Sequence, residues 1–225
     1  MIFRPIFADR ADAGRRLAAA LSHLAITHPL VLALPRGGVP VAFEVARALG
    51  ADLDLLLVRK LGVPGHPELG LGAVVDGAEP QLVLNDILIR TLALTPDYIE
   101  AELRRQLIEI NRRRSAYLGD RVPPPMTGRT VIIVDDGIAT GGTMKAALRG
   151  ARKNRPARLV LAVPVAPREA LTELESECDE LVCLAAPDPF YAVGAHYGNF
   201  DQTSDAEVMS LLAKARIDGR ATLTD

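Results

Sequence analysis

The stretch Val131-Ile132-Ile133-Val134-Asp135-Asp136-Gly137-Ile138-Ala139-Thr140-Gly141-Gly142-Thr143 joins four apolar residues, two carboxylates and a turn of small residues. Met144, Ala147, Leu148 and Ala151 follow at helical spacing, which puts Thr140 to Thr143 at the N-terminus of a helix. Backbone N–H groups at such a terminus have no helical partner. With the positive end of the helix dipole and the hydroxyls of Thr140 and Thr143 they suit a phosphate, and Gly141 and Gly142 let its oxygens approach the backbone. Asp135 and Asp136 end a buried strand one short loop away, the distance of a ribose. Carboxylates accept hydrogen bonds from sugar hydroxyls and help to position a divalent cation, here through water rather than by direct coordination. A sugar phosphate fits both halves of the stretch. The alternative, a glycine-rich turn beside a solvated acidic pair, explains an isolated Gly-Gly better than this whole ordered run. A nucleotide P-loop fits worse, because Thr143 stands where its lysine belongs, and no GxGxxG opens a helix after a strand.

A second turn repeats the arrangement. Pro35-Arg36-Gly37-Gly38 follows the apolar run Leu30 to Leu34 and precedes a helical pattern from about Val39 to Leu49. A guanidinium takes oxyanions bidentately, so a diphosphate fits at Arg36 and the Gly37 and Gly38 amides; an ordinary turn with a surface arginine is the other reading. Arg59-Lys60 ends a strand expected over Leu53 to Val58 and precedes a segment rich in Gly and Pro, Leu61 to Glu68, after which the apolar Leu69 to Val75 suits a strand or hairpin. Lys60 is expected to reach the diphosphate while that segment closes as a lid, or else to end its strand in solvent. His66 and Glu68 are candidate proton-transfer groups, but in such a loop they more often are solvated surface and receive no role. Arg112-Arg113-Arg114 falls at the end of a helix, where cations complement the dipole, and is read as structural. His23, His28, His66 and His196 lack metal-ligand spacing.

These groups need a scaffold, and the chain alternates strand and helix patterns as a mainly parallel α/β sheet requires. Asp9 or Asp12 caps a first helix carrying Leu17, Leu21 and Leu24. Thr95-Pro96 starts a long amphipathic helix with Ile99, Leu103, Leu107 and Ile110 on one face and Glu100–Arg104 and Glu109–Arg113 as i,i+4 pairs. Pro123, Pro124 and Pro125 lead from it into the strand Thr130 to Val134; beyond come a helix near 143–153, a strand Leu159 to Val163, a helix from about Arg168, a strand Leu181 to Leu184 and a terminal helix from about Asp205. The expectation is one domain over 1–225, with a helical insertion near 95–118 and a C-terminal hood near 187–203. Of nine aromatic residues (five Phe, four Tyr), Phe190, Tyr191, Tyr197 and Phe200 fall within eleven positions, either to stack a flat acceptor or to anchor a late loop.

Composition limits the partners. A net charge of −2, from 26 basic and 28 acidic residues in 225, offers no bulk attraction to nucleic acid or anionic lipid, and no run is long enough to span a membrane. Cys178 and Cys183 suit neither a disulfide framework nor a CxxC site, so a cytoplasmic setting is expected.

The thirteen residues from Val131 to Thr143 resemble the ribose-phosphate signature of type I phosphoribosyltransferases, and Val134-Asp135-Asp136 with Ala139-Thr140-Gly141-Gly142-Thr143-Met144 is most similar to the adenine enzymes. Ala139 stands where the hypoxanthine-guanine enzymes have an aspartate, so their acceptor chemistry does not carry over. The resemblance implies a twisted parallel sheet with a hood and a flexible loop, and a magnesium-dependent transfer of ribose 5-phosphate from 5-phosphoribosyl 1-diphosphate to a nitrogen acceptor. A nucleobase is the leading acceptor. It further implies a diphosphate loop after the first core strand, often with a strained or cis peptide, served by Pro35, Arg36, Gly37, Gly38 and Lys60, with Arg36, Lys60 and Asp136 in catalysis. A homodimer through the long helix and a non-catalytic sensor of the same fold are the remaining expectations.

Overall fold

The computed structural model describes residues 4–63 and 66–221, with side chains for all but 66–70 and 218–221. In chain order its elements are α1 (Arg10–Ala20), β1 (Leu30–Ala33), α2 (Gly38–Leu49), β2 (Asp52–Leu55), β3 (Val58–Val63), β4 (His66–Val75), β5 (Gln81–Leu84), α3 (Asp86–Thr91), α4 (Pro96–Leu118), β6 (Thr130–Val134), α5 (Gly142–Lys153), β7 (Arg158–Val165), α6 (Arg168–Glu175), β8 (Glu180–Ala185) and α7 (Asp205–Ala221). Five strands form a parallel sheet in the order β2-β1-β6-β7-β8. Alternation along them separates two cores. Val31, Ala33, Ile132, Val134, Val160 and Ala162 pack with α1, α2 and α7, whereas Leu30, Leu32, Val131, Ile133, Leu159 and Leu161 pack with α5 and α6. Burial on both faces is why these strands read as unbroken apolar runs.

The order has a functional corollary. The β1–α2–β2 crossover leads one way across the sheet and β6–α5–β7 the other, so a crevice opens beyond the carboxyl ends of the adjacent strands β1 and β6. Pro35–Gly38 and Asp135–Thr143 leave those two strand ends.

The capping signals act as read. Asp9 accepts from the Asp12 amide at 2.7 Å, and Thr95 accepts from the Tyr98 amide with Pro96 in the first turn of α4. Glu100–Arg104 and Glu109–Arg113 pair at 3.4 and 2.8 Å, and Ile110, with Ile99, Leu103 and Leu107 around it, packs on the second sheet.

That second sheet corrects the reading of residues 53–63 and contains the strand or hairpin expected around Leu69 to Val75. The strand expected over Leu53 to Val58 ends at Leu55, and the segment expected to begin as a flexible loop at Leu61 is part of an antiparallel sheet, β3-β4-β5. Gly72 sits in β4 where a Cβ would lie 2.3 Å from the Val83 carbonyl oxygen: β5 crosses too closely for a side chain. The lid expectation falls partly on Pro64, Gly65 and the side chains of His66 and Glu68, which lie outside the described residues. A buried charge cluster ties α4 to both sheets: Arg114 donates to Asp54 of β2 and to Asp76 just past β4, each at 2.7 Å.

Candidate phosphate-binding crevice

The loop after β6 is built around unclaimed amides. Ile138 donates to the Val165 carbonyl at 2.9 Å, which pins the loop to β7. Gly141 then takes φ +77 as N-cap of α5, a conformation that favours glycine, and the ladder begins with Lys145 donating to Gly141 at 2.8 Å. Between these two fastenings, the N–H groups of Thr140, Gly141, Gly142 and Thr143 donate to no protein acceptor among the described residues. Four consecutive free donors at the positive end of a helix form an anion nest. Ala139, Thr140, Gly142 and Thr143 are exposed, and a Cβ at Gly142 would meet nothing within 4 Å.

The two loops of the crevice touch. A Cβ on Gly37 would lie 2.1 Å from Asp136 Oδ2, and one on Gly38 would lie 2.8 Å from the Val134 carbonyl oxygen. Absence of side chains at both positions lets the turn after β1 close on the acidic pair. The Pro35–Arg36 peptide is cis, as the family resemblance implies for a diphosphate loop. The Gly38 amide, expected to serve an anion, instead donates to the Leu34 carbonyl at 3.1 Å, because it starts α2; only the Arg36 and Gly37 amides of this turn remain without a protein acceptor among the described residues.

Asp135 and Asp136 are anchored from a segment that sequence reasoning passed over. Arg10 Nε donates to Asp136 Oδ2 at 2.8 Å while its Nη1 donates to the Asp201 carbonyl at 2.7 Å, and its guanidinium lies 3.9 Å from the centre of the Phe200 ring. The Asp136 amide donates to Asp135 Oδ1 at 2.8 Å. Burial pushes both carboxyls above the usual carboxylate range. For Asp135 the charge of Asp136 adds to that rise; for Asp136 the hydrogen bond and charge of Arg10 offset part of it. An acidic pair so destabilised attracts a cation or a hydroxyl donor. Among the described residues no group of three or more His, Cys, Asp or Glu side chains is arranged to hold a metal by itself. The pair fits a hydrated magnesium ion shared with a substrate's phosphates.

The structure gives Lys60 and the aromatic cluster definite surroundings. Side chains alternate along β3, so Arg59 turns to α4, donating to Gln106 Oε1 at 3.0 Å, and Lys60 turns the opposite way. Lys60 therefore lines a cavity of about 600 Å³ with Gly142, Thr143, Lys145 and Arg149, on the side of the phosphate nest, whereas Arg36 lines a separate cavity with Tyr117 and Asp205. Tyr197, read either as an acceptor stack or as an anchor of a late loop, anchors: it is only 5% exposed, its ring packs on Phe7 and Phe200, and its hydroxyl donates to the Asp136 carbonyl at 2.5 Å. Burial raises its phenol far above the ordinary value. It thus supports the acidic pair. Phe200 carries Arg10, Phe190 packs beside His196, and Tyr191 alone of the four is exposed, at 75%. The aromatics were conspicuous by clustering; Arg10 gave no signal, since its partner lies 126 residues away.

A parallel sheet with an acidic pair and a row of unclaimed amides at its switch point defines an α/β protein with a crevice outside the carboxyl ends of its strands. The family comparison agrees: residues 6–197 match the phosphoribosyl transferase domain, and the chain belongs to that family. Two Mycobacterium tuberculosis proteins, from strains CDC 1551 / Oshkosh and ATCC 25618 / H37Rv, provisionally named phosphoribosyl transferases, are each 50% identical over 213 residues, covering 95% of this chain and 48% of their own length. The chain thus spans about half the length of these relatives. The crystal structure of TT1426 from Thermus thermophilus superposes with a TM-score of 0.81 at 46% identity, over 92% of this chain and 98% of that one. Among the described residues no helix is long and apolar enough to cross a membrane.

Proposed function

We propose that the chain transfers ribose 5-phosphate from 5-phosphoribosyl 1-diphosphate to a nitrogen of a nucleobase and releases diphosphate. The observation that carries this reading is the row of unclaimed amides from Thr140 to Thr143, one loop from Asp135 and Asp136 and in contact with a second turn that bears Arg36. The nest holds the 5-phosphate. Asp135 and Asp136 accept from the ribose hydroxyls, with Tyr197 and Arg10 fixing their backbone and side chain. Arg36 and the Arg36 and Gly37 amides take the diphosphate, and Lys60 serves the phosphate side rather than the leaving group. Asp135 and Asp136 would hold a magnesium ion through water, which would supply charge neutralisation to the diphosphate. The anomeric carbon gains oxocarbenium character while the acceptor nitrogen attacks from the opposite face, and the protein contributes positioning and electrostatic stabilisation. The exposed Tyr191 ring offers a surface for a flat base.

The test is diphosphate release from 5-phosphoribosyl 1-diphosphate and magnesium over a panel of nucleobases, with the double variant Asp135→Asn/Asp136→Asn as control. Release that depends on one base and disappears in the control is the expected result. Tight binding without release for every base rejects transfer to a nucleobase and favours a sensor of the sugar diphosphate. No binding at all refutes the site.

A further inference from the structure

The arginine run at the end of α4 divides its labour. Arg114 turns inward to Asp54 and Asp76, but Arg112 and Arg113 reach the cavity of about 480 Å³ that Arg36 lines. Tyr117 of the same helix and Asp205 of α7 complete its polar wall. Two helices outside the strand–turn–helix unit therefore bring further charge to the turn after β1.

Three features point to an anion with several oxygens. First, guanidinium donors are left over: Glu109 engages Nε and Nη2 of Arg112 and Nε of Arg113, while Nη1 of Arg112 and both Nη atoms of Arg113 have no protein acceptor among the described residues. Second, Arg36 is loosely held. Its Nη1 lies 3.5 Å from Asp205 Oδ1, well beyond the 2.7–2.9 Å typical of a charge-assisted bond. Third, that Asp205 oxygen has a better partner, because the Tyr117 hydroxyl donates to it at 2.7 Å. This bond, followed by the Arg36 charge, holds the Asp205 carboxyl below the usual range, so at neutral pH it is a fixed anion against which an incoming anion must compete.

We propose that Arg112 and Arg113 join Arg36 in binding a diphosphate group in this cavity, and that Asp205 is a built-in competitor which the diphosphate displaces from Arg36. The inference rests on reading the turn after β1 as the diphosphate side, and it adds to that turn two residues of α4 and one of α7. A diphosphate suits the wall because its two tetrahedral ends present oxyanions in several directions, matching guanidinium groups carried on different elements.

The experiment is calorimetric binding of inorganic diphosphate, without and with magnesium, to the full chain and its variants. Arg112→Met/Arg113→Met is expected to weaken binding by about tenfold or more, since charge-assisted hydrogen bonds are lost. Asp205→Asn is expected to tighten it severalfold, since it removes the anion that competes for Arg36. Glu109→Gln, which releases both arginines without touching the cavity wall, is expected to tighten binding and serves if the double arginine variant does not fold. Unchanged affinity in the arginine or Glu109 variants, or weaker binding in Asp205→Asn, overturns the proposal. If Arg36→Ala abolishes binding while the arginine pair has no effect, the turn after β1 keeps its diphosphate role and only the extension fails. If Arg36→Ala also has no effect, the diphosphate reading of the turn fails with it.

Discussion

Two glycines in the crevice make opposite predictions for one substitution. At Gly142 an added methyl meets nothing within 4 Å, and the position opens α5, so alanine costs no packing. Removing a glycine's freedom from the unfolded chain stabilises by about 0.4–1 kcal/mol where the native conformation allows it. For a chain of this size, about 2–4 °C per kcal/mol, Gly142→Ala should leave the melting temperature unchanged or raise it slightly. The same methyl stands in front of the free amides. Loss of one charge-assisted amide bond to phosphate, about 1.5–3 kcal/mol, should weaken 5-phosphoribosyl 1-diphosphate binding about 10- to 100-fold. Gly37→Ala behaves otherwise. Its methyl would lie 2.1 Å from Asp136 Oδ2 and 2.6 Å from Cγ, so the two loops must part, at about 1–3 kcal/mol of stability. Thermal unfolding and calorimetry on both variants separate the cases. Unchanged affinity in Gly142→Ala refutes the phosphate nest; a melting temperature several degrees lower in that variant refutes the open geometry in front of it.

Arg114→Met should be severe without touching the site, because it strands Asp54 and Asp76, whose side chains are 0% and 4% exposed; breaking one side of a buried ion pair costs about 3–5 kcal/mol, read by denaturant unfolding. A loss below about 1 kcal/mol would refute the buried cluster as a fastening of α4, given what unpaired buried charges cost. The acidic pair predicts a pH effect of defined sign. Because the folded pKa of Asp135 is raised above its ordinary 3.8, the native state binds more protons than the unfolded chain between the two values, so this residue's contribution to stability grows as pH falls through that window and shrinks as pH rises. Asp135→Asn should flatten that part of the stability profile, and magnesium-dependent sugar-diphosphate affinity of the wild-type protein should fall over the same window as the pair gains protons. A stability profile identical in the two proteins would refute the raised pKa.

The parallel sheet and the nest were legible because local composition determines both. Strands buried on two faces must be apolar throughout, and a loop of small residues between such a strand and an amphipathic helix admits few structures. The β3-β4-β5 sheet was legible only in part. A strand or hairpin around Leu69 to Val75 could be read, but β3 and its pairing could not, because the β3–β4 register shifts on either side of Gly62, which interrupts the alternation that marks a strand. The direction of Lys60 was not legible for the same reason. Its direction depends on which face of β3 meets α5, and that is a property of the sheet rather than of Arg59-Lys60.

Charge pairing was the least legible level, and it decides how the site works. Arg10, Asp136, Tyr197 and Phe200 come from three separated stretches, yet together they hold one carboxylate in place. Two adjacent carboxylates at a strand end are costly to bury, as the raised pKa of each attests. Arg10 offsets part of that cost by occupying Asp136 Oδ2, and its stacking on Phe200 keeps it there, so the pair stays ordered in the absence of substrate. Among the described residues Asp135 pairs with no arginine: its Oδ1 accepts from the Asp136 amide, and it is the more strongly perturbed of the two. On the proposed function, a ribose hydroxyl or a hydrated cation therefore gains most by meeting Asp135, while Asp136 meets it from a side chain that Arg10 holds in place. The two carboxylates, alike in sequence, are thereby given different tasks by partners more than sixty residues away on either side.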